Sequence, residues 1–255
     1  MWLTYSASER GLNRLNPVAK LAWLVATLTW TFAFESIALN LTVTGVMLAL
    51  AGLSAVWSRL WRLWLAVVVP FGVSALIIHS LFNPANVTVL FEVLGLEVGR
   101  EGALAGGIFA SRVAVLSSSF LLFILTTDPR LLMNALVGRG FSPGASYAVL
   151  AALDLPPELQ RRTRSIWEAQ QARGLDLGTG ILQRGRSFVA ILGPLIGGAL
   201  VATETRTLAL EARGFSRSGR RSFLRESPNG PGHRLALRVG LVAIPLAIAA
   251  RVLVG

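Results

Sequence analysis

Two short runs, QARGL at Gln171 to Leu175 and EARGF at Glu211 to Phe215, hold the residues of this chain best equipped for a specific contact. When Arg173 is laid on Arg213, Ala172 falls on Ala212 and Gly174 on Gly214, with an amide or carboxylate side chain before each triplet and a large apolar residue after it. A guanidinium presents a planar fork of donors that matches carboxylates or carbonyls, and the small alanine beside it lets a partner come close. The chemistry on offer is recognition. One copy alone is an ordinary helix stop, since glycine takes the left-handed conformation that closes a helix and arginine complements the negative end of its dipole. Two copies with matching flanks predict two equivalent partners.

Little else in the sequence points to bond making. There is no cysteine, so disulfides, thiolate metal sites and cysteine nucleophiles drop out together. The two histidines, His79 and His233, are far apart in the chain and do not suggest a metal or catalytic site. A P-loop requires Gly-x-x-x-x-Gly-Lys followed by Ser or Thr. The only lysine, Lys20, follows Ala19 and precedes Leu21 in an apolar run, so the chain cannot handle ATP by that route. An intramembrane enzyme would need Asp128, Arg112 and His79 to converge, whereas Asp128 already has a sufficient role as the cap of a helix that begins at Pro129. No cofactor and no metal is expected in this chain.

The elements that must carry the two tips follow from composition. The chain has 255 residues, 53% of them apolar and only 15% charged, with a mean hydropathy of +0.61. That is too apolar for an ordinary soluble domain and fits several membrane helices. The net charge of +11 comes without the aromatic-interleaved basic strands or zinc-finger spacings of a nucleic-acid binder. It marks cytoplasmic segments and an acidic partner or a lipid surface instead.

Apolar runs place four spans before residue 128: Pro17 to Phe34, Ile37 to Trp57, Leu63 to Phe82 with Pro70 as a kink, and Ala103 to Thr127. A polar loop is expected over residues 83 to 102, carrying Glu92, Glu97 and Glu101 against Arg100. Arg112, inside the fourth run, must face protein, water or the interface, because an arginine in mid-membrane costs roughly 2.5 to 3.5 kcal/mol on insertion scales. Arg10, Arg14, Lys20, Arg59 and Arg62 cluster at the ends that would share one side, so the amino terminus is read as cytoplasmic. A fifth span covers Leu235 to Val254, after an arginine-rich loop at Ser216 to Gly232 whose Arg217, Arg220, Arg221 and Arg225 would meet lipid phosphates or solvent.

Between the fourth and fifth spans lie the tips. Ala145 to Leu155 is apolar but too short to cross, and Pro156-Pro157 is expected to interrupt it. From Glu158 to Arg173 the pattern is amphipathic, with Leu159, Ile166 and Arg173 at intervals of seven and Arg161, Arg162 and Arg164 turned elsewhere. Phe188 to Ala202 could be taken for a sixth crossing, but that would separate Arg173 and Arg213 across the bilayer. It is read as a helix lying under the membrane spans and continuing through Glu204 and Arg206 to the second tip. The fold class is thus an all-α membrane protein of about five transmembrane helices. Residues 1-127 form a membrane domain, 128-233 a cytoplasmic coupling domain and 234-255 a last span.

The chain resembles the T component of an energy-coupling factor (ECF) transporter, the membrane scaffold of a bacterial micronutrient importer of the ABC class. The likeness rests on LNRLNPVAKL at Leu12 to Leu21, TTDPRLLMNAL at Thr126 to Leu136, the Pro-Pro followed by a charged helix ending in EAQQARG, and LALEARGF at Leu208 to Phe215. The resemblance implies that Ala172, Arg173, Gly174, Ala212, Arg213 and Gly214 grip two cytoplasmic ABC ATPase subunits, which would supply ATP and Mg. A substrate-binding S component would reorient on this scaffold in the bacterial plasma membrane to import a vitamin or a transition-metal ion. The alternative from the residues alone is a membrane-anchored interaction or signalling protein with a basic cytoplasmic region.

Overall fold

A computed structural model describes residues 15–54, 56–84, 88–93, 96–174, 180–217, 219 and 230–254. The expectations placed on Arg10, Arg14, Leu175, Arg220, Arg221 and Arg225 lie outside these residues. The order of elements is α1 (Pro17–Ala33), α2 (Ile37–Leu53), α3 (Trp57–Phe82), β1 (Val89–Val93), β2 (Leu96–Gly99), α4 (Arg100–Thr126), α5 (Pro129–Val137), α6 (Pro143–Ala172), α7 (Ile181–Ala212) and α8 (Pro231–Val254). Side-chain caps fix several starts. Asn16 accepts from the Val18 N–H at 2.9 Å, Asp128 from the Arg130 N–H at 2.9 Å, and Pro17 and Pro129 each follow a cap where a missing N–H costs nothing.

Three boundaries differ from the sequence reading. The run from Ile37 does not reach Trp57: α2 stops at Leu53, where the Ser54 hydroxyl donates back to the Leu50 carbonyl at 2.8 Å, and Trp57 opens α3. The expected loop over 83 to 102 contains an antiparallel hairpin, β1 with β2, in which Glu92 stands opposite Glu97, and α4 begins at Arg100. Val, Leu and Phe in β1 favour a pleated strand over a loop. Pro156-Pro157 does not interrupt the chain, because α6 runs through both.

Among the described residues four helices are long and apolar enough to cross a membrane: α3, α4, the Ser187–Ala212 part of α7, and α8. At 17 residues each, α1 and α2 span about 25 Å, short of the ~30 Å hydrocarbon layer.

The chain divides into two compact units, 1–140 with 225–255, and 141–224. In the first, contacts set the relative directions of α1, α2, α3, α4 and α8. Gly72 meets Ala110 and Gly106 meets Ala75, so α3 and α4 are antiparallel. Gly107 meets Ile37 and the Asn40 amide donates to the Ser111 hydroxyl at 3.0 Å, so α2 and α4 are parallel. Lys20 Nζ donates to the Thr126 carbonyl at 2.6 Å and Arg112 lies over the Phe32 ring, so α1 and α4 are antiparallel. The indoles of Trp23 and Trp30 donate to the carbonyls of Ala236 and Ala243 at 3.0 and 2.9 Å, which makes α1 and α8 parallel. A core of Ala51, Val56, Leu60, Leu122 and Leu125 fills the junction of α2, α3 and α4.

Small residues let these backbones approach. A Cβ at Gly106 would lie 3.0 Å from the Ala75 oxygen and the Leu76 Cα. Gly106→Ala should therefore lower the thermal unfolding temperature in detergent, since overpacking costs about 1–3 kcal/mol. Gly45→Ala, with nothing within 4 Å of the added methyl, should raise it through the alanine helix preference of about 1 kcal/mol. Shifts of equal sign would show that the α3–α4 contact is not as tight as described.

Candidate partner-binding tips

The second unit is the pair α6 and α7. Four contacts run along it in reversed order: Gln170 Nε2 donates to the Ala190 carbonyl at 3.3 Å, Arg162 to the Gly198 carbonyl at 2.8 Å, Arg206 to Glu158, and the Tyr147 ring meets the Phe215 ring with centroids 5.6 Å apart. The two helices are antiparallel over nearly their whole length. These contacts also explain why Pro156-Pro157 fails to end α6. An interior proline costs about 3 kcal/mol, but α7 holds α6 on both sides of the prolines, at Tyr147 and again at Arg162 and Gln170.

The two tips close by the same geometry. Arg173 (φ −87°, ψ 8°) and Arg213 (φ −85°, ψ 3°) are the capping residues of α6 and α7, and each is followed by a glycine at positive φ, +86° at Gly174 and +73° at Gly214. The Gly174 N–H bonds the Gln171 carbonyl at 3.0 Å, and the Gly214 N–H bonds the Glu211 carbonyl at 2.8 Å. At the second tip the Phe215 N–H reaches the Leu210 carbonyl at 2.9 Å, completing a Schellman closure. Both triplets, Ala172-Arg173-Gly174 and Ala212-Arg213-Gly214, are exposed. Neither arginine side chain has a hydrogen bond or ion pair among the described residues, while Arg162, Arg164 and Arg206 nearby are all engaged.

Antiparallel packing puts the tips at opposite ends of the pair. Phe215, two residues past Arg213, sits against Tyr147, and the 26 residues from there to Arg173 amount to about 39 Å of helix. The spacing of seven that aligns Leu159, Ile166 and Arg173 holds in outline: the two apolar residues are half-buried and the arginine is exposed.

Arg162 corrects the sequence reading, which turned it away with Arg161 and Arg164. It faces α7, with one nitrogen on the Gly198 carbonyl and the other on Glu158 at 2.5 Å. Glu158 thereby joins Arg162 of its own helix to Arg206 of the other. The Glu158–Arg162 spacing of four was a visible signal for half of this brace. The Arg206 half and the Tyr147–Phe215 contact depend on register between helices, which no local pattern carries.

The residues of the rival catalytic reading stay separate. Asp128 caps α5. Arg112 reaches Glu35 at 3.5 Å and lies 5.7 Å from the Phe32 ring centroid. His79 stacks on Phe109, with its Nδ1 3.0 Å from the Ala75 carbonyl oxygen. Among the described residues no hydrogen bond or ion pair joins any two of the three, and no group of three or more His, Cys, Asp or Glu could hold a metal.

Comparison with known proteins bears on these tips. Residues 8–223 match the family model described as cobalt transport protein, CbiQ. The chain is 36% identical over 160 residues to the energy-coupling factor transporter transmembrane protein EcfT of Exiguobacterium sibiricum, covering 59% of this chain and 60% of that one. It is 26% identical over 256 residues to the protein of the same name from Acidaminococcus fermentans, covering 95% and 92%. It also matches, at 28% identity over 229 residues and 84% of its own length, a Bifidobacterium longum protein named as an ABC transporter ATP-binding protein, of which the match covers 28%.

The brace makes one prediction about pH. Hydrogen bonds from Arg206 and then Arg162 hold the Glu158 carboxyl below its ordinary range. Its contribution is therefore complete above that range and is lost as pH falls through the lowered value. Distances between spin labels at positions 155 and 208 should stay narrow until the solution is more acidic than an ordinary carboxylate requires, and should broaden at neutral pH in Glu158→Gln. Identical distributions in the variant and the parent would show that the brace does not hold the helices.

Proposed function

This chain belongs to the cobalt transport protein family, and from that premise we propose that it couples two cytoplasmic ABC ATPase subunits to a substrate-binding S component. It is a transmembrane component of an ECF transporter. The observation that carries the finer reading is the repeated arginine, unpartnered among the described residues, at two similarly closed helix ends about 40 Å apart along α6. A small domain is only about 30 Å across, so the two ends suit two separate partners of the same kind. The relative named for ATP binding supports the association, since a segment like this chain makes up 28% of that longer polypeptide.

In this reading the chain crosses the bilayer with α1, α2, α3, α4 and α8, and its amino terminus is cytoplasmic. The directions within the first unit support it: α1, α2, α3 and α4 alternate as successive crossings must, and α8 runs parallel to α1. Four crossings return the chain to the side on which α1 began, and α8 must then start from that side. A lone crossing by α7 would reverse α8. A crossing by α6 and α7 together would carry Glu158, Arg161, Arg162, Arg164 and Glu168 into hydrocarbon, at roughly 2.5–3.5 kcal/mol for each mid-membrane charge. This supports reading the pair as cytoplasmic, and the exposed apolar side chains of Phe188, Val189, Ile196 and Leu200 would suit contact with lipid.

Each guanidinium would dock in an acidic or carbonyl-rich groove of one ATPase, which supplies ATP and Mg. When ATP draws the two ATPases together, the tips are pulled toward one another and the helices pivot about the Glu158 brace. That displacement would reorient the S component and release its vitamin or metal ion inside.

Arg173→Ala and Arg213→Ala should each weaken capture of the ATPase subunits about tenfold or more, the value of a charge-assisted contact. Both together should abolish uptake while membrane insertion stays normal. Unchanged co-purification and transport in the double variant would refute the grip. Because the chain has no cysteine, single cysteines at positions 173 and 213 can be labelled cleanly from either side. Both should react from the cytoplasm alone, and reaction from opposite compartments would end the topological reading.

A further inference from the structure

Although consecutive, α1 and α2 make next to no direct contact. The first leans on α8 and the second on α4, and the gap between them is floored by Ser119, Leu122 and Phe123 of α4. Two adjoining apolar cavities occupy this gap, of about 430 and 360 Å³, sharing Trp23, Thr27, Val46 and Met47. Together they run along α1 from Lys20 to Thr31, a length of about 17 Å, close to half of the ~30 Å hydrocarbon layer. At one end of this groove, whose other lining residues are uncharged, stands Lys20, the only lysine of the chain. Its ammonium gives one N–H to the Thr126 carbonyl and pairs with no carboxylate among the described residues. A half-buried cation of this kind calls for an anion.

We propose that the groove holds one acyl chain of an anionic phospholipid, with the phosphate of its headgroup on Lys20. Charge complementarity selects the headgroup, since an ammonium with two N–H groups to spare suits a phosphate oxygen. The length of the groove matches a chain reaching from one membrane surface to the bilayer centre. A peptide helix, about 10 Å across, is too thick for cavities of this volume. The bound lipid fills the space that separates α1 from α2 and so wedges α1, with its partner α8, against α4.

The proposal needs only that the first unit sits in a bilayer, not that the tips grip ATPases. Its test is native mass spectrometry of the full chain after reconstitution into nanodiscs of equal phosphatidylglycerol and phosphatidylethanolamine. The parent chain should retain one phosphatidylglycerol per molecule in preference to phosphatidylethanolamine. Lys20→Met should lower that retention about tenfold, as expected for loss of one charge-assisted contact, and Lys20→Arg should keep it. Val46→Trp, which fills the groove and leaves the charge in place, should displace the lipid as well and guards against a folding defect in the Lys20 variants. Equal retention of the two lipids, or retention that survives Val46→Trp, would overturn the proposal. A chain that keeps its lipid but fails to capture ATPases would sink only the coupling reading.

Discussion

Charge in a low-dielectric layer must be paired, solvated or kept out, and the places where this chain carries charge among apolar helices follow that constraint. Arg112 is the one charge in α4 beyond its first turn, yet it reaches Glu35 in the turn between α1 and α2 and lies over the Phe32 ring. Lys20 sits in α1 and donates a hydrogen bond to the Thr126 carbonyl at the end of α4, where the helix has no further N–H to offer. In the second unit one carboxylate, Glu158, serves two guanidiniums. With their neighbours so engaged, Arg173 and Arg213 are exposed at helix ends without a partner among the described residues.

Much of this was legible in the sequence, for reasons particular residues make plain. Pro17 as a helix start and Asp128 as a cap before Pro129 are local signals, and both helices begin where those signals put them. Gly174 and Gly214 announced two left-handed closures, and both are present. Failures came where a distant contact overrides a local rule. Pro156-Pro157 reads as a stop, but α7 packs on both sides of it. Arg162 reads as a solvent-facing charge on an amphipathic helix, but its partners are the carbonyl of Gly198, 36 residues away, and a carboxylate shared with α7. The hairpin at β1 and β2 was hidden because its strands are only five and four residues long, within a stretch that polar residues mark as a loop.

The contacts within α6 and α7 also differ in kind along the pair, and the difference matters for how it could transmit motion. Near its middle the pair is held by directional bonds that fix a point, Glu158 with its two arginines and Arg162 with the Gly198 carbonyl. Toward the second tip it is held by a tilted ring contact, Tyr147 on Phe215, which is less directional than a charged hydrogen bond. A joint that is stiff at its centre and compliant toward its end behaves as a lever. Small residues in α7, Gly193, Gly197 and Gly198, keep the middle of that lever slim.

The parallel seam between α1 and α8 has a consequence for how such a chain is made. The indoles of Trp23 and Trp30 belong to the first of the described helices to be made, and the carbonyls they bond belong to the last of them. Until α8 arrives, that flank of α1, with the tight face that Gly240 will later press against Ala22, has only lipid beside it. Assembly of the bundle therefore waits on synthesis of the entire intervening chain, the α6–α7 pair included. An interrupted translation product would display two tryptophans in search of acceptors, a feature by which membrane proteases could tell unfinished molecules from finished ones.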